Sequence, residues 1–147
     1  MPDESVFRQE FRVRGGDFAK AGAVACRIKE LLKEIGFDAR LIRRAAIASY
    51  EAEMNVIMYA QEARMDLQVS PEEVRITVDD RGPGIADVPL AMTEGFSTAT
   101  PEMRELGFGA GMGLPNIKKN ADIFSVESEV GRGTHLEIII RSNGHRP

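Results

Sequence analysis

Two polar side chains on an alanine-rich stretch raise the first chemical question. Glu51 and Asn55 stand four residues apart, which on a helix puts both on one face, about 6 Å apart along the axis. Ala45, Ala46, Ile47, Ala48, Ala52, Met54, Val56, Ile57 and Met58 surround them in the chain. A carboxylate and an amide in so apolar a helix are costly unless something pairs with them. A magnesium ion suits both, because hard cations prefer oxygen ligands and keep several waters. Asn55 then offers its carbonyl oxygen to the ion, and Glu51 is left as a general base. The competing reading puts Glu51 and Glu53 at the surface and makes Asn55 a satisfied core amide. The pair alone does not choose.

Asp79-Asp80-Arg81-Gly82-Pro83-Gly84-Ile85 is the second constellation. Asp80 can accept a hydrogen bond from an exocyclic amine such as that of adenine. Gly82 and Gly84 lack the side chains that would keep the backbone away from a flat base. An ordinary Asp/Gly/Pro turn has the same composition. The third constellation is Gly107-Phe108-Gly109-Ala110-Gly111-Met112-Gly113-Leu114. Alternating glycines leading into a helix expose N–H groups and the positive helix end, which suits phosphate oxygens. No Gly-Lys-Ser/Thr follows, so this is not a Walker loop. No strand immediately precedes it and no long βαβ unit surrounds it, so it is not a dinucleotide fingerprint.

These segments need elements to hold them. Alternation over 5–13 reads as an opening strand, broken by Gly15-Gly16. Asp17 is expected to cap a helix with the stripe Ala21, Val24, Ile28, Leu31 and Ile35, stopped by Gly36. Asp38 is expected to cap a second helix reaching about Gln61. Strands follow at 66–69 and 74–79 around the turn Ser70-Pro71-Glu72-Glu73. A short helix is expected to begin at Asp87. The stretch 93–113 has no sustained apolar period, a pattern that in a compact domain usually marks function or mobility. A helix at 114–121 and a hairpin of 124–128 with 134–140, turning at Gly131-Arg132-Gly133, close the chain; 142–147 reads as a tail. The order β-α-α-β-β-α-α-β-β predicts an α/β layer structure with helices on one sheet face.

The chain has 147 residues, enough for one domain with its own core. A net charge of −4 and the absence of a long Lys/Arg run argue against direct nucleic-acid binding. Basic residues do cluster at Arg8/Arg12/Arg14 and Arg40/Arg43/Arg44, as solvated faces or as surfaces for acidic partners. Cys26 is the only cysteine, which rules out an intramolecular disulfide, and its helical, aliphatic neighbours make it a small buried hydrophobe by expectation. No signal peptide and no apolar run of membrane-spanning length is evident, so no membrane association and a cytoplasmic location are expected.

E-x-x-x-N on a helix, D-x-G-x-G after a strand, G-x-G opening a helix and a closing Gly131-Arg132-Gly133-Thr134 occur here in that order. The order resembles the GHKL (Bergerat-fold) ATPases and kinases over nearly the whole chain, from about Val6 to Ile140. Within that superfamily it is most similar to the serine/threonine kinases of bacterial partner-switching systems, the RsbT, RsbW and SpoIIAB type. Tyr59-Ala60, where the RsbW and SpoIIAB branches tend to carry His-Gly, points to the RsbT-like side. Gly95-Phe96-Ser97-Thr98 resembles the start of the lid, and Thr100–Glu105 resembles an insert in it.

The resemblance implies a two-layer α+β sandwich with a mixed sheet, forming one ATP-binding kinase domain over 1–147. It implies that Glu51 is the base activating a substrate hydroxyl, Asn55 the magnesium ligand and Asp80 the adenine-binding carboxylate. Gly82, Gly84 and Ile85 would line the base pocket, with Gly111, Met112, Gly113 and Leu114 beside the phosphates and Thr134 on the adenine side. ATP and Mg2+ are the implied cofactors. The implied activity is phosphorylation of a serine or threonine on a STAS-domain antagonist or scaffold, within sigma-factor or stress-response control. An anti-sigma factor that sequesters its target with ATP as a conformational ligand is the alternative. A phosphatase or a sigma factor are further partners the resemblance allows, and it leaves room for a homodimer.

Overall fold

The computed structural model describes residues 7–93 and 113–142. Strand β1 (Phe7–Arg14) leads through a 3-10 turn (Phe18–Lys20) into helices α1 (Ala23–Ile35) and α2 (Ala39–Tyr59). Strands β2 (Glu62–Val69) and β3 (Glu73–Arg81), the short helix α3 (Val88–Ala91), helix α4 (Gly113–Asn120) and strands β4 (Ile123–Glu129) and β5 (Gly133–Arg141) follow.

The five strands form one sheet in the order β1-β2-β3-β5-β4. All four pairings are antiparallel, which corrects the expected mixed sheet within an otherwise confirmed α/β fold. The reason lies in the connections. Between β1 and β2 the chain passes through two helices, and a reversal at each of the three junctions returns β2 against β1. β3 and β4 do run the same way, but β5 lies between them and hydrogen-bonds to both.

Helix boundaries follow local chemistry. Asp38 Oδ1 accepts from Leu41 N at 2.8 Å, the expected cap of α2. Asp87 Oδ1 does the same for Leu90 N at 3.0 Å at the start of α3. Gly36 ends α1 in the left-handed region, its N–H bonded to Leu32 O at 3.1 Å. The expected Asp17 cap is not made: Asp17 precedes only the 3-10 turn and caps nothing with its side chain. α1 starts at Ala23 instead, because its first N–H groups find another carboxylate, described below.

The core lies between the helices and one face of the sheet. Alternate residues of β2 and β3, including Met65, Leu67, Val74 and Ile76, are fully buried. They meet Ile28 and Leu32 of α1 and Val56 of α2 within one apolar cluster. Ala45, Ala48 and Ala52 have no exposed surface, so α2 lies close against its neighbours. The opposite sheet face carries Arg64 between Glu10 and Asp79 and Arg75 beside Glu137, half-exposed pairs that favour solubility more than stability.

Candidate functional site

α2 and α4 pack antiparallel, and the packing decides where Glu51 and Asn55 point. Ile117 and Leu114 anchor α4 in the core. At its far end, Arg44 of α2 donates from Nε to Asn120 O at 3.0 Å and pairs with Asp122 at 3.3 Å. A cation at a helix C-terminus also complements the helix dipole. Working back along α4, Asn116 Nδ2 donates to Glu51 Oε2 at 3.1 Å. Gly113, the first residue of α4, lies so near Asn55 that an added Cβ would stand 3.1 Å from Oδ1. Glu51 and Asn55 therefore share the flank of α2 that faces the start of α4, and both remain partly exposed.

A second cluster forms where β3 leaves the sheet. Asp80 Oδ1 accepts from Thr134 N at 3.0 Å, across the β3–β5 pair. Burial pushes the Asp80 carboxyl up from its ordinary range; the Thr134 N–H bond opposes this and the neighbouring Asp79 charge adds to it. Oδ2 has no protein partner among the described residues, so one acceptor of this half-buried carboxyl is open to a ligand donor. Gly133 must be glycine: its φ is 150°, and a Cβ would run into the backbone oxygen of Asp80. Gly82 is nearly as confined, with an added Cβ 3.1 Å from Cα of Ala60 and 3.3 Å from Asp80 Oδ1.

The rest of the β3 loop is pinned to the closing hairpin. Gly131 N donates to Pro83 O at 2.9 Å and Ile85 N donates to Ser128 Oγ at 2.7 Å. Ser128 Oγ donates to Gly133 O at 3.1 Å and lies 2.9 Å from Thr134 Oγ1. With its own proton on Gly133 O, Ser128 takes the Thr134 hydroxyl as donor. Ser128 thus joins Ile85, Gly133 and Thr134, a role that a serine in an alternating strand does not announce in sequence.

The second cluster borders the C-terminal end of α2, and the first lies further back along the same helix. Ala60, which follows the helix, touches Gly82 beside Asp80, while Asn55 lies five residues earlier, about 7–8 Å back along the helix. Glu51, Asn55, Gly113, Asp80, Gly82 and Thr134 thereby belong to one continuous stretch of structure. Leu114 is buried in the core, which leaves only its backbone for a ligand. Ile85 is held by the hairpin as described, and Gly84 lies against it so closely that an added Cβ would run into Glu129 O; Gly111 and Met112 lie outside the described residues, as does the segment 95–105.

One carboxylate was misplaced by the surface alternative. Glu53 is 1% exposed and accepts from Gly22 N at 3.1 Å, Val24 N at 3.2 Å and Ala25 N at 3.0 Å. It closes the N-terminus of α1 from a neighbouring helix, taking the place expected for Asp17. Burial raises its carboxyl above the usual range, against the three backbone N–H bonds that lower it. A signal existed: residues two apart on a helix point about 200° away from each other, so Glu51 and Glu53 cannot share a surface. Cys26, expected buried, is exposed on α1.

Comparisons with known proteins identify the family. The family model described as histidine kinase-like ATPase domain matches residues 17–140. The serine/threonine-protein kinase RsbT of Bacillus subtilis (strain 168) is 31% identical over 115 residues, covering 76% of this chain and 80% of the relative. With an E-x-x-x-N helix bordered at its end by a D-x-G-x-G loop, the chain belongs to the histidine kinase-like (GHKL) ATPase family, on its RsbT-like side.

Proposed function

We propose that this chain is an ATP-dependent serine/threonine protein kinase, a single domain over 1–147, that phosphorylates a STAS-domain partner in a cytoplasmic partner-switching circuit. The observation that carries the reading is the Glu51–Asn116 and Asn55–Gly113 arrangement at the start of α4. A carboxylate with one oxygen held by an amide has its other oxygen free to receive a proton, next to a helix start suited to phosphate. Kinship with a kinase that shares 31% identity supports the same chemistry. No helix among the described residues is long and apolar enough to cross a membrane.

In this reading Asp80 Oδ2 accepts from the adenine amine while Thr134 N–H holds Oδ1. Gly82 and Gly84 keep the pocket wall free of side chains. Glu51 takes the proton of the substrate hydroxyl as its oxygen bonds to the γ-phosphorus and the bond to the leaving ADP oxygen breaks. Phosphoryl transfer asks mainly for position and charge stabilisation, which such a site provides. When bound, magnesium would neutralise phosphate charge, and Asn55 Oδ1 is the oxygen this chain would offer it. The new phosphate would add roughly −2 charge at the partner's contact surface and release it by repulsion and desolvation.

Purified protein, Mg-ATP and candidate STAS-domain proteins test this, with mass analysis for an added phosphate. Glu51→Gln is expected to abolish transfer and keep ATP binding. Transfer by Glu51→Gln at the wild-type rate would remove Glu51 from the role of base.

A further inference from the structure

On the flank of α2 away from α4 there is an open groove that the proposed chemistry does not use. It has a volume of about 510 Å³ and runs between the 3-10 turn, the start of α1 and the middle of α2. Ala19, Ala21, Ala23 and Ala46, the Tyr50 ring and the Cys26 thiol give it an apolar lining. Lys20 and Lys29 are its charged lining residues, and no carboxylate among the described residues lines it. Small side chains on both walls leave room for bulky ones from outside.

The surrounding face of α2 continues the pattern. Ile47 and Tyr50, one turn apart, are 37% and 39% exposed, although helices usually turn such residues inward. Arg43 and Arg40, both exposed, stand one and two turns before Ile47 on the same side of the helix. Lys20, Lys29, Arg40 and Arg43 make no ion pair among the described residues, whereas Arg44, on the α4 flank, is paired with Asp122. Unpaired cations around an apolar trough define a complementary ligand. It carries large apolar side chains on one face and carboxylates beside them.

We propose that this groove docks an acidic amphipathic helix of a protein partner, laid beside α1 and α2 as a third helix. Apolar anchors would fill the alanine-lined trough and flanking Asp or Glu would meet Lys20, Lys29, Arg40 and Arg43. A polyanion such as a nucleic acid would gain nothing from the alanine walls. The trough at Ala46 and Tyr50 lies off the Glu51–Asn55 flank, with Ile47 between them, and its occupation needs no nucleotide, so it stands apart from the kinase reading. It borders the Glu53 junction: Gly22 lies under the Tyr50 ring and donates its N–H to Glu53, so an occupant would press on the contact between α1 and α2.

The lone thiol makes the groove measurable. The probe is a synthetic helical peptide with leucines at i, i+3, i+4 and i+7 and glutamates beside them; its lysine counterpart is the control. Full-length protein without nucleotide is titrated with each, following fluorescence anisotropy and the rate of Cys26 alkylation. The acidic peptide is expected to bind, to slow alkylation severalfold and to weaken with salt. The doubly reversed Lys29→Glu/Arg43→Glu variant, checked for fold by circular dichroism, should bind it about tenfold more weakly and prefer the lysine peptide. The proposal is overturned by no binding at millimolar peptide, or by equal binding of both peptides. It is also overturned if Cys26 is protected by a second copy of the chain as concentration rises, or by vesicles of anionic lipid.

Discussion

Removing the Glu53 carboxylate is the sharpest test of how the two helices are joined. Two of its three donors, the N–H groups of Val24 and Ala25, are buried, and the Gly22 N–H is half-buried. Each buried donor left unpaired costs about 1–3 kcal/mol. Relief of the carboxylate's own desolvation offsets part of that loss, so Glu53→Ala should destabilise the fold by about 3–5 kcal/mol. In a domain of this size that lowers the melting midpoint by roughly 6–20 °C. Glu51→Ala is the internal control: it loses a single partly exposed bond to Asn116 and should cost under about 1 kcal/mol.

Urea unfolding followed by circular dichroism measures both variants, and pH adds an independent check. Burial holds the folded carboxyl of Glu53 above its ordinary value, so the folded chain binds this proton more tightly than the unfolded chain. Its proton-linked stabilisation is full below the unfolded carboxylate range and is lost as pH rises through the raised folded value. The advantage of wild type over Glu53→Gln should therefore shrink as pH increases across that window. Equal costs for Glu51→Ala and Glu53→Ala, or an advantage that grows with pH, would refute the reasoning.

Three further variants test the site. Asp80→Asn should weaken ATP binding about 10–100-fold by calorimetry, the worth of one charge-assisted hydrogen bond, and binding should become indifferent to the exocyclic amine. Because burial raises the Asp80 carboxyl, wild-type affinity should start to fall at a higher pH on acidification than an ordinary aspartate would allow, and Asp80→Asn should lack that limb. Asn116→Ala should slow phosphoryl transfer about 10–100-fold through a misplaced Glu51, with ATP affinity unchanged; a matching loss of affinity would make Asn116 a ligand contact instead. Gly133→Ala should lose both nucleotide binding and about 2–4 kcal/mol of stability, since a Cβ there meets the Asp80 backbone.

Local chemistry alone was enough for much of this protein. The Asp38 and Asp87 caps, the Gly36 stop, the strand alternation and the order of elements are short-range effects, decided within a turn or a hairpin, and they are legible residue by residue. The E-x-x-x-N and D-x-G-x-G spacings were equally readable, because each lies within one helix or one loop. Contacts between distant segments needed the assembled sheet and helices. Glu53 replaces Asp17 as the cap of α1 from a different helix, and Asn116 reaches Glu51 across 65 positions. Ser128 ties Ile85 to Thr134 only because β5 inserts next to β3. A hydrogen bond between remote residues leaves no periodicity in the chain; its partner is set by which surfaces the core brings together.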